Sequence, residues 1–287
     1  MKLHLPTAEV FIPDGRAPGD AIGRVTHLGV GAHQDDLEFM AFHGILQCFD
    51  SETEWFGGVT CTNGSGSART GAFANYSDAE MMAVRREEQR KAAMTGRYSA
   101  MVQLDYPSAV VKNAGDLRLR GDLGAILAAS RPKIVYTHNP ADKHDTHVAV
   151  AVAVIQAIRA MPRELRPKAV HGCEVWRDLD WLADMEKVVH DVGGNDGLAT
   201  SLNGIFASQI VGGKRYDLAV TGRRRANATF FESHGVDASD ALAFAMDLTP
   251  LAHDDSLDVV DHVTGFIDRF RADVAGKLRR HLDSPTH

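Results

Sequence analysis

His33-Gln34-Asp35-Asp36 brings one imidazole and two adjacent carboxylates together within four residues. Imidazole nitrogens and carboxylate oxygens are ligands of catalytic zinc sites, which use three protein ligands and leave one coordination position open. The apolar run before this stretch, residues 25–32, predicts a buried strand, and the run after it predicts a helix. Because open α/β sheets bind ligands outside the carboxyl ends of their strands, this junction is a candidate metal site.

A second group of chemically useful side chains follows a later predicted strand. His144 and His147 are three residues apart, so they lie one turn apart on the same face once the next helix has begun. His33 and Asp36 come from one strand end and His147 from another, which allows the three to converge in one cleft as metal ligands. Asp35 and His144 then remain for acid–base chemistry.

These motifs, in this order and on these predicted elements, resemble those of the PIG-L/LmbE-like family of zinc-dependent N-deacetylases. The family motif A-H-P-D-D-E is matched by residues 32–38, Ala-His-Gln-Asp-Asp-Leu-Glu. The motif H-x-D-H is matched by residues 144–147, His-Asp-Thr-His, and a helical R-x-x-E motif by residues 85–88, Arg-Arg-Glu-Glu. The resemblance extends over about residues 25–176 and implies a Rossmann-like fold.

The resemblance also implies an activity and a role for each motif residue. The expected reaction is the removal of an acetyl group from an N-acetylglucosamine-type sugar conjugate by metal-activated water. The expected metal is Zn²⁺, although sites with nitrogen and oxygen ligands also accept other divalent ions. The family's metal ligands correspond to His33, Asp36 and His147, and its general base corresponds to Asp35. Its electrophilic or acid partner corresponds to His144, and its substrate-binding arginine corresponds to Arg85.

Three positions depart from the family pattern. Gln34 replaces the proline of the first motif, and Leu37 replaces its last acidic residue, although Glu38 follows directly. Thr146 replaces the aspartate of H-x-D-H. The resemblance implies that this aspartate orients an imidazole, so the substitution leaves the tuning of the histidines in this motif open.

Two other functions fit the same residues. One is an amide hydrolase that acts on a non-sugar N-acyl substrate. The other is a non-catalytic sugar-binding or regulatory relative that has kept the fold and lost turnover. Gln34 and Thr146 keep this second alternative open, whereas the intact ligand set argues against it.

Simpler structural explanations exist for the residues singled out. Asp35 and Asp36 suit the first turn of a helix, where carboxylates interact with free N–H groups and the helix dipole. His147 could pack in an apolar helix, and Arg85 with Glu88 could form an ordinary surface pair. The choice between a structural and a functional role also stays open for other residues. His138 and Asp142 could position a loop, and His27, His43 and His171 could be packed histidines. The run of Arg223, Arg224 and Arg225 could be a solvated face, an anion-binding element or a subunit contact.

The composition limits the class of protein. The 287 residues are 44% hydrophobic and 24% charged, which is typical of a globular protein with one large domain or two small ones. The net charge of −7 argues against general nucleic-acid binding, which needs a basic surface. The three cysteines form no C-x-x-C pair, and no segment has the ~20 apolar residues of a membrane span. We therefore expect a cytoplasmic protein with a small-molecule substrate; homo-oligomerisation is left open.

Strands and helices alternate after a predicted irregular N-terminal arm, residues 1–24. This alternation predicts an α/β fold for residues 25–177, a Rossmann-like three-layer α/β/α sandwich with a mostly parallel sheet. Residues 178–287 are expected to form an extension that packs on this core and can line the pocket. Strands are predicted over 25–32, 55–62, 101–104, 133–138 and 169–176, and helices over 38–49, 79–96 (capped by Asp78), 116–129, 144–160, 197–210 and 256–281.

Overall fold

The computed structural model describes residues 1–232 and 234–282, and within them eight strands form one sheet. The strands are β1 (Glu9–Phe11), β2 (His27–Gly31), β3 (Phe56–Thr62), β4 (Ala100–Tyr106), β5 (Ile134–His138), β6 (Ala169–Cys173), β7 (Lys187–Asp191) and β8 (Leu242–Asp247). The helices are α1 (Pro18–Gly23), α2 (Asp36–Met40), α3 (Phe42–Phe49), α4 (Asp78–Thr95), α5 (Ser108–Val111), α6 (Arg118–Ser130), α7 (Asp145–Arg159), α8 (Asp196–Ile205), α9 (Ala207–Ile210), α10 (Tyr216–Phe230), α11 (Thr249–His253) and α12 (Val259–Leu282).

The sheet is parallel in its centre and antiparallel at its margins. The strand order is β1-β4-β3-β2-β5-β6-β8-β7, and the five strands from β4 to β6 run parallel. β1 is antiparallel to β4, and β8 is antiparallel to both β6 and β7. Every residue of β2, β3 and β4 is buried, as expected for strands covered by helices on both faces. The predicted α/β sandwich with a mostly parallel sheet is confirmed.

Apolar cores lie on both faces of the sheet because neighbouring residues of a strand point to opposite sides. In β4, Val102 belongs to the core beneath α6 and α7, whereas Met101 belongs to the core beneath α3 and α4. In β5, Val135 and Tyr136 divide in the same way. The sheet is therefore the middle layer of three. No helix in residues 1–232 and 234–282 is long and apolar enough to cross a membrane.

The strand order reverses direction next to β2, and this reversal determines where loops can form a cleft. The chain passes from β2 to β3 and β4 on one side, and then returns to β5 and β6 on the other. Loops leaving the carboxyl ends of β2 and β5 therefore diverge and leave a crevice, the usual ligand site of such sheets. Residues 32–36 and 139–144 leave these two strand ends.

Helix α4 begins one residue earlier than the sequence suggested. The N-cap is Ser77, not Asp78: the Ser77 hydroxyl accepts the Glu80 backbone N–H at 3.3 Å. The Glu80 carboxylate accepts the Ser77 backbone N–H at 2.8 Å, which completes a capping box. The cap fixes the start of the helix that carries Arg85.

The two ends of the chain hold more regular structure than the sequence predicted. The description of residues 1–24 as irregular is incomplete, because they contain β1 and α1. Beyond residue 178, the chain adds β7, β8 and α10, none of which was predicted. The C-terminal part thus extends the sheet as well as packing on it.

Candidate metal centre

The loops after β2 and β5 bring His33, Asp36 and His147 together. His33 Nδ1 lies 3.2 Å from His147 Nε2 and 3.3 Å from Asp36 Oδ2. Asp36 Oδ1 lies 3.5 Å from His147 Nε2. Ligand atoms around a tetrahedral zinc with bonds of about 2.0–2.1 Å are ~3.3 Å apart, so each of these separations is close to that between two zinc ligands, with Asp36 facing His33 through Oδ2 and His147 through Oδ1. These residues are therefore suited to hold a divalent cation.

Asp36 is buried among groups that stabilise its charged form. It is the first residue of α2, and its Oδ2 accepts the backbone N–H of His33 at 2.6 Å. Burial would raise the pKa of Asp36, but the adjacent His147 and His138 outweigh burial and hold it well below its ordinary value. A carboxylate that stays ionised in a buried position is what a metal ligand requires.

Asp142 supplies the carboxylate that the second motif lacks. Its Oδ2 lies 3.3 Å from His147 Nδ1, on the side of the ring opposite the nitrogen that faces Asp36. Asp142 also accepts the backbone N–H groups of His144, Trp176 and Arg177 at 3.2 Å each, which holds it in place. A carboxylate on the second nitrogen of a metal-binding histidine fixes its tautomer and ring orientation. Thr146 is buried and lines the cavity instead.

His138 is a fourth histidine at this site, and it is fully buried. Its Nε2 accepts the backbone N–H of Ala32 at 2.9 Å and lies 3.2 Å from Asp36 Oδ2, and its ring stacks on His147 at 3.8 Å. Burial lowers the pKa of His138 to about 4, so the ring is neutral. The atoms of Asp36, His138 and His147 form a second possible ligand triad. The sequence favoured a loop-positioning role for His138 over direct substrate contact, although its place at the end of β5 could have indicated a metal ligand.

His144 borders the same centre from the cavity side. It stands at the N-cap of α7, with its ring 4.5 Å from that of His147 and 5.0 Å from that of His33. Burial and these two histidines lower the pKa of His144. Its Nδ1 is buried and has no hydrogen-bond partner among the described residues. His144 can therefore contact a substrate or complete a triad with His33 and His147.

Asp35 has a strained backbone that its neighbours hold in place. Its φ is +102°, which costs a non-glycine residue roughly 1–3 kcal/mol. Its backbone N–H donates to Gln89 Oε1 at 3.2 Å, and Arg85 donates both to the Gln34 carbonyl and, at 3.1 Å, to Asp35 Oδ2. Burial raises the pKa of Asp35 to about 6 against the opposing effect of Arg85. With this backbone conformation, the Asp35 carboxylate faces Arg85, whereas the Asp36 carboxylate faces the histidines of the site.

Arg85 and Glu88 are buried, so the interpretation as an ordinary surface pair is wrong. Arg85 Nη1 lies 3.5 Å from Glu88 Oε2, and Glu88 accepts the backbone N–H and hydroxyl of Ser208 at 2.8 and 2.7 Å. Arg85 lines the cavity, and its Nε and Nη1 have no hydrogen-bond partner in the described part of the chain. Arg85 thus holds Asp35 through Nη2 and faces Glu88 through Nη1.

Gln34 and Leu37, the two residues that depart from the first motif, each make defined contacts in the structure. The Gln34 side-chain amide donates to the Thr62 carbonyl at 2.9 Å, which ties the loop to the end of β3. Leu37 is fully buried in the core, and the carboxylate of Glu38 accepts hydrogen bonds from Tyr98 and Gln89 at 2.7 and 2.9 Å. Burial raises the pKa of Glu38 to about 7. Glu38 therefore links α2 to α4 through Gln89 and to the segment before β4 through Tyr98.

The candidate centre lies at the base of a cavity of about 630 Å³. His33, Asp35, Asp36 and His144 line it, and the loop after β3 contributes Gly64 to its wall. Gly64 has a φ of +76°, and a Cβ there would lie 2.9 Å from the Gln34 side-chain oxygen. Glycine is therefore required at this point of the wall.

The comparisons with known proteins agree with this architecture. The sequence model of the PIG-L family, described as GlcNAc-PI de-N-acetylase, matches residues 28–158. A search of curated proteins found no match. A conserved protein of Thermus thermophilus is similar in structure, with a TM-score of 0.59 and 18% identity over 77% of this chain and 94% of that one.

Two other solved structures are similar at comparable levels. One is the 4-carboxy-2-hydroxymuconate hydratase of Pseudomonas putida, with a TM-score of 0.58 and 17% identity over 78% of this chain and 96% of that one. The other is the N,N'-diacetylchitobiose deacetylase of Pyrococcus horikoshii, with a TM-score of 0.56 and 17% identity over 76% and 83%. At these identities the likeness shows the fold, while the family match rests on the sequence of the segment that carries both motifs. Residues 28–158 of this chain, which carry both motifs, are therefore similar in sequence to the PIG-L family.

Proposed function

We propose that this protein is a divalent-metal-dependent hydrolase that removes the acetyl group from an N-acetylglucosamine-type conjugate. The observation that carries the proposal is the triangle of His33, Asp36 and His147 ligand atoms at the base of an open cavity, with Asp35 beside it. The family match and the deacetylases that share the fold support the reaction class.

His33, Asp36 and His147 would hold the cation, and Asp142 would keep His147 in the orientation for binding. A divalent cation held there supplies Lewis acidity and brings the pKa of water near 7. Zinc suits the donor set of two imidazoles and one carboxylate best.

Asp35 would act as the general base. It lines the cavity next to Asp36, and the hydrogen bond from Arg85 fixes its carboxylate. In the proposed reaction it takes one proton from the attacking water while the new C–O bond forms at the acetyl carbon. Arg85, which lines the cavity, would bind a substrate oxygen as well as position Asp35.

His144 would assist the departure of the amine leaving group. Its ring lines the cavity at the start of α7, and its Nδ1 has no hydrogen-bond partner among the described residues. It would relay to the sugar nitrogen the proton that Asp35 takes from the attacking water, as the C–N bond breaks and acetate and the free amine are released. A histidine in this position can also stabilise negative charge on the acetyl oxygen.

An acetate-release assay with the zinc-loaded protein tests this function. We expect N-acetylglucosamine conjugates to release acetate and equimolar free amine. The Asp35→Asn variant should lower kcat by about 100- to 10,000-fold while zinc content stays at one per chain, because only the base is lost. Asp145→Asn is the matched control, since the Asp145 side chain is 84% exposed and its nearest charge partner, Lys112, is 3.9 Å away.

The alternatives predict different results in the same assay. Faster hydrolysis of simple N-acyl amines than of any sugar conjugate would favour a non-sugar amide hydrolase. Sugar binding without acetate release from the zinc-loaded protein would favour a non-catalytic relative. An unchanged kcat in Asp35→Asn on a verified substrate would remove Asp35 from the role of base.

A further inference from the structure

Positive charge is concentrated at the mouth of the cavity, although the chain as a whole is acidic with a net charge of −7. Three carboxylates line the cavity, and each is already bound within the protein. Asp36 contacts histidines, and Asp35 contacts Arg85. Glu174 accepts the side-chain amide of Asn227 at 2.6 Å as well as two backbone N–H groups. These carboxylates therefore leave the cations of the mouth uncompensated.

Two lysines of the mouth have no carboxylate within 4.0 Å among residues 1–232 and 234–282. They are Lys143, which directly precedes His144, and Lys214, which precedes α10. Both are exposed. Lys112 faces only the distant carboxylate of Asp145, 3.9 Å away, and Arg223 donates to the Val175 carbonyl. An anion in this cavity would thus meet ammonium groups that no internal acid neutralises.

Trp176 places one of these ammonium groups a short distance from the candidate centre. The Trp176 ring lies 6.0 Å from the His144 ring, and Lys214 Nζ lies 5.3 Å from the Trp176 ring centroid. Tyr216 packs edge-on against Trp176 at 6.1 Å, which continues the aromatic wall. Aromatic walls of this kind bind the apolar faces of ligands, whereas the few charged groups around them select the ligand.

We propose that the cavity selects substrates with an anionic substituent, a phosphate or a carboxylate, that Lys214 and Lys143 bind while Trp176 contacts the sugar ring. The inference rests on the proposed deacetylation, which sets where the acetyl amide of the substrate lies in the cavity. It adds a requirement for negative charge that the metal-binding residues do not impose. Charge at the mouth acts mainly on capture of the substrate, so it affects KM more than kcat.

Matched neutral and anionic probes test the requirement for charge. The probes are N-acetylglucosamine, N-acetylglucosamine 6-phosphate and the carboxylate N-acetylmuramic acid, each assayed for acetate release. We expect kcat/KM to be at least about 10-fold higher for one or both anionic probes than for the neutral one, and 0.5 M NaCl to reduce this preference. The comparison of phosphate with carboxylate identifies which anion the mouth prefers.

Variants of the two lysines test the assignment. Lys214→Gln and Lys143→Gln should each lower the ratio of anionic to neutral kcat/KM by about 5- to 10-fold, mainly through KM, and Lys214→Arg should restore it. Lys168→Gln is the matched control, because Lys168 is exposed at the start of the chain segment leading into β6, outside the cavity. Thermal unfolding of each variant reports whether the fold is kept.

Calorimetric titration of the metal-free protein with the same probes separates this inference from the proposed function. Acetate release without preference for charge would overturn the inference and leave the deacetylase. Tighter binding of the anionic probes that weakens in Lys214→Gln, without acetate release from any probe, would support the inference and overturn the deacetylase. An unchanged preference in both lysine variants would overturn the assignment of these residues.

Discussion

The molecule contains two clusters of four histidines, and they differ in the carboxylates around them. The site cluster consists of His33, His138, His144 and His147. The second cluster consists of His27, His43, His171 and His190. In the site cluster, the carboxylate of Asp36 lies within 3.5 Å of three of the four rings. In the second cluster, the nearest contact of a carboxylate with a ring, among residues 1–232 and 234–282, is that of Glu54 with His27, at 3.7 Å.

The second cluster is held together by ring contacts around Tyr136. His43 and His190 stack with ring centroids 4.4 Å apart, and His190 Nε2 lies 3.0 Å from His171 Nδ1. His43 Nδ1 lies 3.0 Å from the Tyr136 hydroxyl. Burial lowers the pKa of all four histidines, that of His43 to about 4. The rings are therefore neutral packing groups.

The comparison shows that carboxylates, more than histidines, distinguish a candidate metal centre from a packed cluster. Burial lowers the pKa of His147 as well, but Asp36 and Asp142 outweigh it and raise that pKa above its ordinary value. A site that stabilises an imidazolium also stabilises a cation bound in its place. In the second cluster, Glu54, Asp191 and Asp247 raise the pKa values of His27, His43 and His171, but they do not outweigh burial.

Removing one histidine from each cluster should give the largest contrast. We expect His147→Gln to abolish stoichiometric zinc binding and to lower acetate release by at least about 1,000-fold, because one of three ligands is lost. His171→Gln makes the same chemical change in the second cluster and should keep one zinc per chain. Metal analysis after dialysis, together with kcat/KM, measures both. Zinc loss in the His171 variant alone would reverse the assignment of the two clusters.

Asp142→Asn should produce a smaller effect on the same centre. The amide keeps the size of the side chain but removes the negative charge beside His147 Nδ1, so we expect zinc affinity to fall by about 10- to 100-fold. Competition with a chelator of known affinity measures the change. Asp145→Asn serves again as the exposed control, and equal affinities in the two variants would show that Asp142 does not tune His147.

Acid should destabilise the protein through the second cluster. Because the folded pKa values of these histidines are lowered, the unfolded chain binds more protons below about pH 6.5, and stability is lost as the pH falls from there towards 4. The charged or titratable groups that face the cluster are Glu54, Lys133, Tyr136, Asp191 and Asp247. We expect the cluster to account for roughly 1–3 kcal/mol of the loss.

Urea unfolding at pH 7.5 and 5.0 measures this loss. His43→Phe keeps an aromatic ring against His190 and removes one titrating group, so it should lose about 1 kcal/mol less than the parent between the two pH values. His234→Gln, in an exposed segment, is the control and should follow the parent. If His43→Phe loses as much stability as the parent, the acid sensitivity arises elsewhere.

Sequence reasoning recovered the parts of the fold that local patterns determine. The central strands are apolar runs bounded by turn residues, and both motifs stand where such runs end. β7 and β8 were missed because their pairing is remote: His171 in β6 lies opposite Asp247 in β8, 76 residues later. Helix α10 carries three consecutive arginines at its centre, which interrupt the apolar pattern of the helix.

The sequence predicted those residues of the candidate site that belong to the two contiguous motifs. His33, Asp36 and His147 do come together, and Asp35 and His144 border the same cavity. Their catalytic roles stay predictions. The contribution of Asp142 depends on how the loop after β5 folds back, and no local pattern encodes that path. The signal that could have found it was a carboxylate five residues before His147 in a motif that lacked its own aspartate.

The Tyr136 hydroxyl gives the smallest effect that still separates the two clusters. Tyr136→Phe removes the hydrogen bond at His43 Nδ1 and leaves the aromatic packing, so we expect a loss of about 0.5–1.5 kcal/mol in the free energy of unfolding at pH 7.5. Zinc content and kcat should stay at the parent values, because the Tyr136 ring belongs to the core under α3 and is not among the residues that line the cavity. Urea unfolding and metal analysis on the same preparation check both halves. A fall in zinc content without a loss of stability would mean that the clusters are coupled through β5, which carries both Tyr136 and His138.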